Sequence, residues 1–265
     1  MNKNENYGSW LPKWILALAY SLTVVFLILA MLFMHSRKFI PNNILRYCLM
    51  GGFSLIFLIV LYFTIKFTIM RKAFKFNRSQ NIASRVIKGI VDRVELKDGE
   101  TLLDVGCGAG ALAISCAQKF PKANVVGFDI WSLSYPFYTQ KRCEDNALAN
   151  NLDNIKFVQG SATKLDFANE TFNVVVSNFV YHNIPGNKQE YLLDSLSKLK
   201  KGGMFIIHDL FNKAGYKDME HFAIKLKNMG YQEAKLIPTD DGLFYSKSVA
   251  RYLLINGSQL LIGIK

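Results

Sequence analysis

Cysteine is scarce and scattered in this chain. Its four thiols, Cys48, Cys107, Cys116 and Cys143, form no C-x-x-C pair and have no His-rich segment beside them. A disulfide framework and a metal site are therefore not expected, and a reducing compartment is the plain reading. Acid is nearly missing from the first 78 residues, where Glu5 alone faces ten Lys and Arg; from Ser79 onward 22 Lys and Arg face 19 acids. A nucleic-acid enzyme would carry its basic excess on the catalytic domain. Here the excess borders long apolar runs and points to anionic lipid, so the expected partner is a bilayer and not nucleic acid. Internal repeats and low-complexity tracts are absent as well, which excludes solenoids and disordered linkers.

The apolar runs come first. Trp14 to Phe33 holds no charge, and Tyr47 to Ile65 holds none either. Each is long enough to span a bilayer as a helix. A cleaved signal peptide does not fit, because the first run is too long, no small-residue cleavage site follows and a second run comes soon after. Lys3, Lys13, Lys66, Arg71, Lys72, Lys75 and Arg78 flank the pair on the outside, against Arg37, Lys38 and Arg46 in the connecting loop. That asymmetry predicts a multi-pass protein of the cytoplasmic membrane with both ends, and the following domain, in the cytoplasm. Trp10, Trp14, Tyr47 and Tyr62 stand where interfacial aromatics belong, and Arg71 to Arg78 alternates basic and aromatic residues as a strip for headgroups. Residues 1–78 are thus expected to be an anchor with two transmembrane helices, and residues 79–265 a soluble domain.

That domain opens with Ile82, Val86, Ile87, Ile90, Val91 and Val94 at helical spacing. Leu102-Leu103-Asp104-Val105-Gly106-Cys107-Gly108-Ala109-Gly110 then reads as a buried strand running into a tight turn, and Ala111-Leu112-Ala113-Ile114 starts a helix. Glycine lets the backbone pass close to a ligand, and the new helix offers amides and a positive dipole end. The glycines alone also satisfy the dinucleotide fingerprint. Asp104 argues for something else: a carboxylate at the strand end suits a cationic amino group, so the site fits an amino-acid-like ligand better than a pyrophosphate. Asn124 to Phe128 forms a second strand that ends at Asp129, placed for ribose hydroxyls in either fold.

Asp-x-Gly-x-Gly-x-Gly resembles motif I of the class I S-adenosylmethionine-dependent methyltransferases, and Asp129-Ile130-Trp131-Ser132 resembles a motif II variant of bacterial, type 11-like members. The resemblance covers about residues 80–265. It implies an α/β Rossmann-like sheet, mostly parallel, with a C-terminal antiparallel hairpin, and S-adenosyl-L-methionine as cofactor. Asn256-Gly257, between the apolar runs 252–255 and 260–262, supplies a hairpin signal of its own. The cofactor residues implied are Asp104, Gly106, Cys107, Gly108, Gly110, Asp129, Ile130, Trp131, Ser161, Ala162 and Asn178. Trp131 would pack on adenine. Ser161 stands where the family commonly has an acid for the adenine amino group, and Asn173 replaces the usual Asp of strand four. The loop Asn178-Phe179-Val180-Tyr181-His182-Asn183 follows that strand and is not the Asn/Asp-Pro-Pro-Tyr pattern of enzymes that methylate exocyclic amino groups of bases and some glutamines.

The expected function is therefore membrane-anchored methyl transfer to a small-molecule or lipid-like acceptor. If that acceptor is a hydroxyl, His182 is the candidate base, with Tyr181 and then His208-Asp209 behind it. Two alternatives stay open: an NAD(P)-binding oxidoreductase, which leaves Asp104 unexplained, and a non-catalytic membrane protein that retains the cofactor fold.

Overall fold

The computed structural model describes residues 5–9, 11–77, 80–133 and 135–265, Lys213 by its backbone alone. Lys3, Trp10, Arg78 and the expected boundary residue Ser79 lie outside the described residues. The chain divides into two compact units, Ser9–Lys75 and Phe76–Lys265, the second joined by the N-terminal residues up to Gly8.

The first unit is a helical hairpin: α1 (Lys13–His35), a 3-10 turn (Ser36–Lys38) and α2 (Asn43–Phe74), which Asn42 caps by accepting the Leu45 amide. Both helices are long and apolar enough to cross a membrane, and no residue of α1 is buried by protein. Where hydroxyls interrupt the apolar surface, they pair. The Thr23 and Thr64 hydroxyls lie 2.9 Å apart, so one donates to the other while its partner donates to a carbonyl one turn back. Tyr20 donates to Thr68 at 2.8 Å, while Thr68 donates to the Thr64 carbonyl. In an apolar surrounding an unpaired hydroxyl is costly, so these pairs fix the register of the hairpin. Phe33 stacks on Phe53 nearer its tip. The expected spans fall inside these helices, but α2 runs nine residues beyond Ile65, so the first half of the basic strip is helical. Arg71, on that extension, donates to the Leu11 carbonyl.

The second unit is a seven-stranded sheet built from β1 (Thr101–Val105), β2 (Asn124–Asp129), β3 (Ile155–Gln159), β4 (Phe172–Asn178), β5 (Leu199–Leu210), β6 (Glu233–Pro238) and β7 (Ser258–Ile264), in the order β3-β2-β1-β4-β5-β7-β6. The first five strands are parallel, and β7 runs antiparallel to both β5 and β6. Helices α3 (Ile82–Arg93), α4 (Ala111–Lys119), α5 (Gln140–Ala149), α6 (Lys188–Ser197), α7 (Lys213–Tyr216), α8 (Met219–Asn228) and α9 (Lys247–Tyr252) complete the unit. Leu102, Leu103, Val105, Val174, Val175 and Val176 are all buried, which is why the central strands are apolar without alternation. Asn173 accepts from the Thr101 amide and from Lys200, so the amide does the acceptor work of the usual acid at the base of the sheet.

The terminal antiparallel pair is present, but not at Asn256-Gly257. Residues 247–252 are helical because Ser246 accepts the Val249 amide as an N-cap, and Leu254 then turns left-handed at φ 60°. The partner of β7 is β6, some twenty residues upstream. Their close approach leaves no room at Gly263, where a Cβ would run into the Glu233 carbonyl and the Phe205 ring. Gly263→Ala is expected to destabilise the chain by about 1–3 kcal/mol, read as a lowered unfolding midpoint, while Gly257→Ala should cost less.

Candidate functional site

Strand order reverses at β1, which has β2 on one side and β4 on the other, so a crevice opens at their carboxyl ends. The turn from β1 into α4 lines it. Gly106, Gly108 and Gly110 all have positive φ (74°, 60° and 84°), as left-handed backbone demands. Gly106 is also sterically bound to be glycine: a Cβ there would run into Val180 of the loop after β4.

The amides of this turn are largely committed to the fold. Gly106 and Cys107 both donate to the Phe128 carbonyl, Gly108 to Asp129 Oδ2 at 2.8 Å and Gly110 to the Cys107 carbonyl. Among the described residues none takes the amides of Ala109, Ala111 or Leu112, so the donors left for a ligand sit at the α4 N-terminus. Cys107 is buried, with its thiol pushed far up by burial.

Both expected acids are at their strand ends. Asp104 is only 1% exposed, and its Oδ2 accepts the Ala113 amide at 3.0 Å. Burial, opposed by that amide and reinforced by the Asp129 charge, pushes its carboxyl up to about 8. Asp129 accepts from Gly108 with one oxygen and from the Trp131 amide with the other, at 2.8 Å each. Burial raises its pKa too, against the pull of the Trp131, Gly108 and Ile130 amides. Among the described residues neither acid has an ion-pair partner. The crevice thus suits a cation, which would favour the charged form of both carboxyls; a pyrophosphate would oppose it.

Trp131 takes φ 44°, a strained value for a bulky residue, and its indole donates to the Gly108 carbonyl at 2.9 Å. Ile130 beside it is exposed. After β3, Ser161 bonds Thr163, and Ala162 packs into the core. At the end of β4, Asn178 shares a 2.8 Å hydrogen bond with His208, whose other ring nitrogen meets Thr239. Burial holds His208 neutral, its pKa lowered to about 3.

The two neighbours Tyr181 and His182 part company. Tyr181 is fully buried, its hydroxyl bonded to Ser195 at 2.7 Å and its pKa raised by burial. Tyr181, a runner-up to His182 as proton acceptor, is a core residue whose hydroxyl is held by Ser195. His182 keeps an exposed edge, and its Nδ1 meets Asp209 Oδ1 at 2.5 Å. Asp209, fully buried at the end of β5, also accepts the amides of Tyr181, His182 and Leu210. It therefore sets both the turn and the ring, leaving Nε2 as the free end of the imidazole. Asp209 had been only a secondary candidate; its signal was its place at a strand's carboxyl end.

The sequence profile described as a methyltransferase domain matches residues 96–235. The chain belongs to the methyltransferase domain family. Arsenite methyltransferase of Halobacterium salinarum is 35% identical over 121 residues, 45% of this chain and 29% of that protein. Sterol 24-C-methyltransferase of Pneumocystis carinii is 26% identical over 171 residues, 58% of this chain and 43% of that protein. The chain thus spans less than half the length of these curated relatives. In structure it is similar to phosphoethanolamine N-methyltransferase 2 of Haemonchus contortus in complex with S-adenosyl-L-methionine, with TM-score 0.51 at 17% identity over 68% of this chain and 52% of that one. The cofactor of this methyltransferase domain is S-adenosylmethionine. The crevice fits that molecule: Asp104 would face its ammonium and Asp129 its ribose hydroxyls, and among the described residues neither acid has a cation of its own.

Asp104 links this chemistry to stability. An acid whose folded pKa lies above its unfolded value contributes stability below the unfolded value, here the ordinary 3.8, and loses it as pH rises through about 8. Ligand-free protein should therefore melt progressively lower as the pH is raised across that window. Asp104→Asn keeps an acceptor for Ala113 without the charge, and its melting profile should be flatter. Parallel profiles for the two proteins would show that Asp104 does not carry this proton.

Proposed function

We propose that this chain is a membrane-anchored methyltransferase that moves a methyl group from S-adenosylmethionine to a lipid-like or other membrane-partitioned acceptor. The observation that carries the reading is the order of the chain. It leaves the methyltransferase unit after Gly8, forms two apolar helices whose outer faces no protein covers, and re-enters the same unit at Phe76. A hairpin of that kind needs another apolar phase around it. Because both of its ends join one unit, the unit lies on one side of the membrane, and the flanking Lys and Arg favour the cytoplasmic side. The alternative of an NAD(P)-binding oxidoreductase is disfavoured by the family match and by Asp104 and Asp129, which no cation among the described residues accompanies. Among the relatives, the sterol enzyme supports a lipid-like acceptor by its name.

The geometry supports an assignment of the cofactor residues. The amides at the α4 N-terminus would take the methionine carboxylate, Asp104 the ammonium side and Asp129 the ribose hydroxyls. Ile130, Trp131, Ser161 and Ala162 would border the adenine, with Asn178, fixed by neutral His208, at the inner edge. When bound, the sulfonium supplies an already activated methyl group, so the protein's task is alignment. Where the acceptor is a hydroxyl, His182 Nε2 would take its proton while Asp209 stabilises the ring that becomes charged.

Asp129→Ala should weaken S-adenosylhomocysteine binding by roughly ten- to a hundredfold in calorimetric titration, since charged hydrogen bonds are typically worth about 1.5–3 kcal/mol. His182→Asn should leave that affinity unchanged and lower turnover of a hydroxyl acceptor by roughly 10²–10⁴. The acceptor class is tested with the full chain in vesicles of source-cell lipid, given cofactor labelled in the methyl group. Label is expected in the organic extract; label confined to the aqueous phase would remove the lipid acceptor and leave the hairpin as an address.

A further inference from the structure

Residues 5–8, ahead of the first apolar helix, are folded into the methyltransferase unit, and one side chain hydrogen-bonds both them and its glycine turn. Asn146, on α5 and 1% exposed, accepts the Asn6 amide at 2.8 Å, donates to the Asn6 carbonyl at 3.2 Å and donates to the Ala109 carbonyl at 3.0 Å. Tyr7 is buried, edge-on to Phe76 with ring centroids 4.9 Å apart, and its hydroxyl lies 3.5 Å from Asn150 Nδ2. Gly8, at φ 65°, backs onto Phe137, Tyr138 and Arg142, and the Tyr138 ring in turn faces Gly108. Cys143, one turn before Asn146, donates to the Gly108 carbonyl. Asn146 hydrogen-bonds both this strap and the glycine turn.

We propose that Asn146 is a positioning residue for the cofactor turn and that Asn6–Gly8 support that turn through it. The amide group of Asn146 satisfies a backbone donor and acceptor of the strap together with a carbonyl of the turn. Loss of any one partner would leave buried polar groups of the others unmatched. The Ala109 carbonyl belongs to the peptide that precedes Gly110, and its fixing orients the residues that lead into the α4 N-terminus. Tyr7 and Phe76 pin the two chain ends that flank the hairpin to each other, so tension at either end acts on the strap. The device rests on the S-adenosylmethionine reading of this domain, because the turn it steadies is the one assigned to that cofactor.

The test uses the full chain in detergent, as wild type, Asn146→Ala and Tyr7→Ala. The second variant loosens the strap while leaving the bond from Asn146 to Ala109 in place, and decides the matter if the first does not fold. Hydrogen exchange of the ligand-free protein should speed up about tenfold in the peptide spanning 104–112 and stay unchanged in β7. With Trp10→Phe and Trp14→Phe as background, Trp131 emission should shift to the red as its bond to Gly108 loosens. The dissociation constant for S-adenosylhomocysteine should rise about tenfold in Asn146→Ala and less in Tyr7→Ala. Unchanged exchange, or an equal rise in the turn and in β7, overturns the proposal. Selective loosening of the turn in a chain whose wild type binds no S-adenosylhomocysteine upholds the positioning role and sinks the cofactor reading instead.

Discussion

The turn from β1 into α4 and the loop after β4 can share one crevice only because Gly106 carries no side chain where Val180 presses against it. That single close approach sets the distances of the whole site. It brings the turn that holds His182 beside the turn that leads into α4, where Gly106 also takes a positive φ. The loop cannot retreat, because buried Asp209 holds two of its amides and the imidazole at once. A short-range steric fact thereby fixes the relation between the residues that would hold a cofactor and the residue that would meet an acceptor.

Electrostatics then decides which cofactor the crevice suits. Two strand-end acids are buried near each other, and the backbone amides they accept offset only part of the cost of removing them from water. A protein could have placed Lys or Arg against them, and among the described residues it has not. The pair is satisfied when a cation arrives, which makes ligand binding and charge compensation the same event. His208 follows the opposite logic: burial keeps it neutral, so it serves as a hydrogen-bonding strut for Asn178 and contributes no charge to the crevice.

In the proposed membrane-anchored reading the hairpin obeys a different solvent. Its outward faces are apolar and unburied, and its few hydroxyls face each other across the helix pair or turn back on their own helix. Such an arrangement is economical only where water is absent. The helical extension of α2 through Phe74 carries its Lys and Arg beyond the apolar stretch, on the same helix that would leave the membrane.

Much of this was legible in the residues because it is local. Apolar length marked the two hairpin helices, the 3.6 period marked α3, and the run from Leu102 to Gly110 marked a strand, a turn and a helix start with a ligand between them. What the sequence could not determine was pairing at a distance. Asn256-Gly257 carried a valid turn signal, yet Ser246 captured the preceding residues as a helix, and β7 found its partner in β6 through a register that only the assembled sheet specifies. Tyr181 and His182 are adjacent and equally polar at their tips; a 3-10 turn sends one ring into the core and leaves the other at the rim. Asn146 looked like one polar residue on a helix whose Cys143 and Ala147 face inward, and its meaning came from Asn6, 140 positions away. Periodicity records which face of an element is buried, and local turn chemistry records where it ends. Which buried polar group meets which is settled only when distant segments close on each other, since the hydrogen bonds that reward that closure do not exist before it.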